Sequence, residues 1–363
     1  MKTFFMNDYG EGAHPIVMQR LLETNMEHTC GYGLDDYSLR AADVIREKCG
    51  QSGAAVHIMV GGTSANSIAI AAFLRPYEAA ICAPTGHINV HETGAVEATG
   101  HKVLPCAAKD GKVTPEGVEA VCALHTDEHM VAPRLLYISQ PTEIGTVYHL
   151  DELKALRRVS DAHGLILFVD GARLGSGLTS VECDVTLRDL AALADCFYIG
   201  GTKNGLLFGE AMVIVNPALQ KDFRFMIKHN GGMIAKGRLG GVMFLAALEH
   251  DDYFAWAKHA NEMADLIRAG MERAGIPFFQ RTTTNQIFAV LTEEQNAALA
   301  LDFAYERWAT LDDGRVAVRF VTSWATTAED CRKLGSALEA MARWRARGGL
   351  MCAREKRAVW LAA

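Results

Sequence analysis

Short apolar runs alternate through residues 54–215 with longer stretches in which apolar positions recur at helical spacing. The runs at 54–60, 79–83, 102–105, 134–139, 165–169, 197–199 and 211–215 read as strands. Between them, Gly61-Gly62-Thr63-Ser64 opens a helix whose apolar face includes Ile68, Ile70, Ala71 and Leu74. Thr114-Pro115-Glu116 starts a second helix, with proline suited to its first turn, and Asp151 is expected to cap a third that runs to about His163. Alternating strands and helices require crossover connections, so the pattern predicts an α/β fold with a doubly wound, mainly parallel sheet. Upstream, Ile16, Val17, Leu21 and Leu22 mark an amphipathic helix after His14-Pro15, and another is expected from about Ser38 to Cys49 behind Asp35-Asp36. Downstream, one long amphipathic helix over 239–273 leads to a smaller carboxyl-terminal α/β domain with strands at 286–291 and 316–322 and a helix over 328–345. The expected division is an amino-terminal arm and helix (1–35), a large domain (36–245), a small domain (246–348) and a loose tail (349–363).

Composition narrows the classes. With 363 residues, 50% hydrophobic and 22% charged, the chain can bury one large core with a smaller one attached. A net charge of -7 and a pI near 6.0 argue against a broad nucleic-acid surface. Nine scattered cysteines without a Cys-x-x-Cys pair point to reduced thiols and away from a disulfide framework or a zinc knuckle. No apolar run approaches the ~18 residues of a membrane span and no leader pattern opens the chain, so a cytoplasmic location and no membrane partner are expected.

The chemistry concentrates at two strand ends. Phe197-Tyr198-Ile199-Gly200-Gly201-Thr202-Lys203 runs from a buried strand into a glycine-flanked lysine. A partly desolvated lysine supplies a free amine able to form an imine with a carbonyl; the competing reading is a solvated loop charge. Upstream, Leu165-Ile166-Leu167-Phe168-Val169-Asp170 places a carboxylate at the carboxyl end of a parallel strand, where open α/β sheets bind ligands. Pyridoxal phosphate needs an acid opposite its ring nitrogen to keep the pyridinium protonated, and Asp170 followed by Lys203 fits that need. Gly61-Gly62-Thr63 at a helix start offers backbone N–H groups to a phosphate, although the same motif is an ordinary cap. His87, just past a strand end, can stack on a flat ring. Its spacing from His91 would suit two metal ligands, but no third is evident, so no metal is expected. Tyr32 lies between two glycines in an irregular segment, and Lys221, Arg224, Lys228, His229, Lys236 and Arg238 form a basic stretch that is either a solvated face or a phosphate contact, including one to a neighbouring subunit.

Together, Val169-Asp170-Gly171-Ala172-Arg173, Gly61-Gly62-Thr63-Ser64-Ala65-Asn66 and Thr202-Lys203-Asn204-Gly205 resemble the threonine aldolase and β-eliminating lyase family, within the aspartate-aminotransferase-type pyridoxal phosphate fold, fold type I. The resemblance covers roughly residues 4–345. It implies that Lys203 carries pyridoxal 5'-phosphate as an internal aldimine, Asp170 pairs with the ring nitrogen, Gly62 and Thr63 hold the phosphate and His87 stacks on the ring. Arg173 and Arg319 resemble the family's arginines for the substrate carboxylate, a role suited to a planar two-pronged donor; the plain alternative for Arg319 is an edge-strand surface charge. Tyr32 and either Lys236 or Arg238 resemble positions that reach the cofactor of the partner subunit, which implies a homodimer or homotetramer.

Two positions depart from the family pattern. Pro141-Thr142-Glu143-Ile144-Gly145 stands where many relatives read Asn-Thr-His-x-Gly, so Glu143 becomes the expected base for the substrate hydroxyl, against a plain turn-capping role. Asn7-Asp8 stands where relatives often have Ser-Asp, making Asn7 an expected carboxylate contact. The expected reaction is cleavage of a β-hydroxy-α-amino acid, of threonine or allo-threonine type, to glycine and an aldehyde. β-Elimination or transamination of a small amino acid is the alternative, and a non-catalytic nucleotide-binding protein the remote one.

Overall fold

The computed structural model describes residues 2–346, with side chains described as far as Ala342; the tail at 349–363 lies outside the described residues. The described residues form two compact units, Gly12–Ala255 and residues 2–11 joined with 256–346. Residues 2–11 thus belong with the carboxyl-terminal unit instead of forming an arm with 12–35, and the change of unit falls at 255/256, not 245/246.

The larger unit is built on a seven-stranded sheet in the order Ala55–Met59, Glu210–Ile214, Cys196–Gly200, Ile166–Asp170, Ala132–Ser139, Glu78–Cys82, Lys102–Pro105. Glu210–Ile214 runs antiparallel to both neighbours, and the other pairings are parallel. This is the mainly parallel sheet expected from the alternation. Phe168, Tyr198, Phe197 and Tyr137 are essentially fully buried in it, and each such side chain contributes on the order of 1.5–3 kcal/mol by leaving water. That rigid core carries the ends of three neighbouring parallel strands, Ser139, Asp170 and Gly200, to one edge of the sheet.

Two helix expectations change. The helix Leu150–His163 begins behind His149, whose N–H donates to the Glu152 carboxylate at 2.8 Å; Asp151 lies inside the first turn and is not the cap. The long helix over 239–273 is two, Arg238–Leu248 and Asp252–Arg273, separated at Asp251, which sits in the left-handed region with φ 63°. Aspartate tolerates that conformation better than most residues, so apolar periodicity runs on across a break the backbone makes. Helix Arg238–Leu248 packs its glycines closely: a Cβ on Gly241 would strike the backbone of Ser38, and one on Gly240 the side chain of Ile58.

The smaller unit holds a four-stranded antiparallel sheet in the order Phe278–Gln280, Gln286–Leu291, Val316–Val321, Glu306–Thr310, with helix Ala328–Ala346. Thr3–Phe4 adds a parallel pairing with Phe303–Ala304, and Phe5 is fully buried in this unit's core. The strands Phe278–Gln280 and Glu306–Thr310 were not expected; both are short and only partly buried, so they lack a continuous apolar run. No helix among the described residues is long and apolar enough to cross a membrane.

Candidate active site

Glycines set the spacing of the two key strand ends. Gly200 N–H donates to the Gly171 carbonyl at 2.9 Å. A Cβ on Gly171 would collide with the Tyr198 carbonyl, and one on Gly200 with that of Ala172, so only glycine allows the Asp170 and Lys203 turns to lie this close. The lysine turn is then pinned. The Tyr253 hydroxyl donates to the Gly200 carbonyl at 2.8 Å and accepts from Gly175 N–H at 3.2 Å, while the Asn204 amide donates to the Tyr253 carbonyl at 2.8 Å.

Asp170 is buried and well supplied with donors. Its Oδ2 accepts from the Tyr137 hydroxyl and from Asn66 Nδ2 at 3.2 Å, and its Oδ1 from Ala172 N–H at 2.9 Å. Burial alone would raise its pKa. The charge of His87 and hydrogen bonds from Tyr137, Tyr198 and Ala172 outweigh that and hold the carboxyl below its ordinary value. Asn66 Nδ2 also donates to Glu92 Oε1 at 2.7 Å, and the same oxygen meets His87 Nδ1 at 2.8 Å. Asn66 therefore bridges the carboxylate beneath His87 and the one at the strand end.

Glu143 sits against the same group. Its Oε1 accepts from His87 N–H at 3.0 Å and from the Ser139 hydroxyl at 2.6 Å. Burial pushes its pKa up, opposed by the hydrogen bond from Ser139 and reinforced by the charge of Asp170. Glu143 does make a cap, but for the one-turn helix His87–Val90 rather than for its own turn, and Oε1 carries both contacts.

Helix Gly62–Phe73 starts behind Gly61, which brings no capping side chain. The first-turn N–H groups of a helix have no intrahelical partner, and a site without a side-chain cap is open to an anion. A Cβ on Gly62 would lie 3.3 Å from the Tyr198 hydroxyl, so this helix start adjoins the tyrosine bonded to Asp170. Lys203, Asp170, His87, Glu143, Gly62 and Thr63 are in this way brought to one end of the sheet, with Arg173 three residues past Asp170 at the start of helix Leu174–Leu178.

Tyr32 has a left-handed backbone with φ 61°; its N–H donates to the Ala235 carbonyl at 3.1 Å and Lys228 Nζ stands 4.5 Å from its ring centre. Arg238 is buried, donating to the carbonyls of Thr24 at 2.5 Å and Glu27 at 3.2 Å. Its guanidinium thus ties the chain to itself, and Lys236 is the other residue expected at this position. In the smaller unit, Asn7 Oδ1 accepts from Tyr9 N–H at 3.1 Å. Arg319 stands on an interior strand, not an edge strand, as Val316–Val321 is paired on both sides. It donates to Gln286 Oε1 at 2.9 Å, pairs with Glu306 and lies 5.1 Å from the Trp308 ring centre.

Sequence reasoning missed Asn66, Glu92, Tyr137 and Glu210. Asn66 had one legible signal, a polar residue between Ala65 and Ile68 on a face that otherwise reads as core. Glu210 is buried at a strand start and had none, since an acid after Gly209 looks like a loop charge.

The chain as a whole is similar to known proteins. A sequence pattern for beta-eliminating lyases matches residues 11–294. A low specificity L-threonine aldolase of Pseudomonas aeruginosa is 32% identical over 91% of this chain and 95% of its own length. The solved structure of a threonine aldolase from Leishmania major superposes with a TM-score of 0.92 at 41% identity, covering 94% of this chain and 99% of that one. An aspartate aminotransferase of Thermus thermophilus, 16% identical with a TM-score of 0.70, shares the fold. Matched along most of its length by the pattern and by both aldolases, the chain belongs to the beta-eliminating lyase family, among its threonine aldolases.

Proposed function

We propose that this protein is a pyridoxal phosphate-dependent aldolase that cleaves a β-hydroxy-α-amino acid of threonine type to glycine and an aldehyde. The observation that carries the reading is Asp170, a buried carboxylate kept ionised by surrounding donors at the strand end beside the Lys203 turn. When bound, the cofactor supplies an electron sink for the bond broken at the substrate's α-carbon. The open helix start at Gly62 and Thr63 suits its phosphate, the space a glycine leaves at Gly62 suits close approach, and His87 suits the face of its ring.

The chain's own residues then have distinct tasks. Lys203 Nζ is the amine that would hold the cofactor covalently and, once freed by the incoming substrate, would be available at the site to carry a proton. Asp170, kept ionised, would favour a protonated ring nitrogen on the bound cofactor. Arg173 is assigned to the substrate carboxylate, as is Arg319 from the smaller unit, where an incoming carboxylate competes with Glu306 for the guanidinium. Asn7 retains its amide N–H groups for the same anion, since its oxygen is taken by Tyr9. Glu143 takes the β-hydroxyl proton, a task helped by a pKa above the ordinary carboxylate value.

The reading includes a second copy of the chain. The segments around Tyr32 and Phe225 are linked by Arg224, which donates to the Tyr32 carbonyl, and they carry exposed Met26, Leu34 and Phe225. Covering such residues is what a symmetric dimer, or a tetramer of two, does, and Tyr32 and Lys236 are the residues assigned to the copy's cofactor. A cytoplasmic location is part of the same reading, supported by the reduced state of the eight described cysteines.

Incubation with threonine and with phenylserine tests the reaction. Glycine and the matching aldehyde in equal amounts are expected; ammonia and a keto acid would overturn cleavage in favour of elimination.

A further inference from the structure

The lysine turn carries a second buried acid that the steps above leave unused. Glu210 opens the strand Glu210–Ile214, faces Gly200 in register across the antiparallel pair, and is 4% exposed. Its Oε2 accepts from Gly201 N–H at 2.9 Å and its Oε1 from the Thr202 hydroxyl at 2.9 Å. The Thr202 oxygen accepts in turn from Gly209 N–H at 3.0 Å. One carboxylate therefore fixes both residues that precede Lys203.

A neutral side chain could make part of this stitch, whereas a carboxylate also brings charge. Ionisable groups facing it are Lys203, Asp170, Tyr198 and Tyr253. Burial raises the Glu210 carboxyl most and the charge of Asp170 adds to the rise. The Thr202 hydroxyl, the Lys203 ammonium and Gly201 N–H oppose them, and the balance lies at about 7. In a site that solvates charge poorly, an ammonium–carboxylate pair and its neutral amine–acid counterpart come close in free energy, because neither leaves a lone charge.

We propose that Glu210 is a positioning residue for Lys203 and the acceptor of that lysine's proton. The inference rests on the reading of Lys203 as the cofactor-linking amine. In the exchange an N–H bond of the Nζ ammonium breaks and an O–H bond forms on the Glu210 carboxylate. The electron pair stays on nitrogen and the summed charge of the pair stays zero. The amine becomes a nucleophile without a proton crossing to bulk water.

The test follows the reaction of cofactor-free enzyme with pyridoxal, read as the formation of the lysine-linked chromophore from about pH 5 to about 10. Wild type is expected to show an inflection near neutrality besides that of the lysine itself. Glu210→Gln, which keeps shape and one acceptor, is expected to lose that inflection and to change the rate at pH 8 by about threefold or more. Thr202→Val removes a hydrogen bond to the charged carboxylate and is expected to move the inflection upward. A Glu210→Gln profile that matches wild type overturns the proposal, whatever its melting temperature. If that variant does not fold, an unmoved inflection in Thr202→Val overturns it. A chromophore that reduction traps on another lysine would overturn the assignment of Lys203 and this proposal with it, a result the pH profile does not mimic.

Discussion

Two regions of the larger unit make opposite use of their side chains. At and beside the strand ends, Asp170, Glu92, Asn66 and Glu210 are polar and buried, and each is hydrogen-bonded to a neighbouring group. In the segments around residues 24–37 and 224–238, Met26, Leu34 and Phe225 are apolar and exposed, and Tyr32 is held at a left-handed backbone angle. Buried polar groups cost free energy unless satisfied, and exposed apolar groups forgo the gain of burial. The first region is thus organised around buried polar chemistry. The second leaves apolar side chains exposed, and it is the face assigned above to the proposed contact with a second copy.

The largest expected effect separates the regions outright. Lys203→Ala should abolish visible absorbance with added cofactor and lower cleavage on the order of 10³-fold or more, while sedimentation remains that of wild type. Retained colour would place the linking amine elsewhere. Next, Asp170→Asn should lower kcat by on the order of 10²–10³-fold, since an amide no longer stabilises charge at the ring nitrogen; an unchanged kcat would remove that role. Glu143→Gln is expected to cost about 10²-fold and to remove the acidic limb of the pH–rate profile, because the group whose ionisation creates the base is gone. Full cleavage rate in this variant would leave Glu143 as a cap for the His87 turn and nothing more.

The second region responds differently. Phe225→Glu should shift the assembly toward monomer in sedimentation and lower activity several-fold, with the fold kept, as judged by circular dichroism. A fully active monomer would contradict the shared site. The smallest effect is on stability against pH. The carboxyl of Asp170 is lowered in the folded protein, so its contribution is present at neutral pH and is lost as pH falls through that lowered value, below about 4. Glu210 has the opposite sign. Raised from 4.5 to about 7, it contributes fully below its ordinary value, and that contribution is lost as pH rises through about 7. Melting temperature plotted against pH should accordingly be flatter for Glu210→Gln between those values than for wild type.

What the sequence disclosed follows the same contrast. Most of the expected strands were legible because they are buried apolar runs, and Asp170 and Lys203 stood out as ionisable residues at or shortly after the end of such runs. Glu210 and Glu92 were hidden because an isolated acid in sequence gives no sign of the donors that will surround it; those donors come from Gly201 and Thr202 in one case and from Asn66 and His87 in the other. The break at Asp251 escaped because a single left-handed residue does not interrupt apolar periodicity. Arg238 looked like a free cation, and only the carbonyls of Thr24 and Glu27, more than 200 positions away in the chain, reveal its structural use.

The most direct test of the account is to reduce the cofactor-loaded protein with borohydride, digest it and identify the modified peptide. The account predicts a single pyridoxyl group on Lys203, in the peptide that contains Gly200-Gly201-Thr202, and its loss when threonine is present in excess during reduction. Label on a different lysine, or none in a protein that still cleaves threonine, would contradict it.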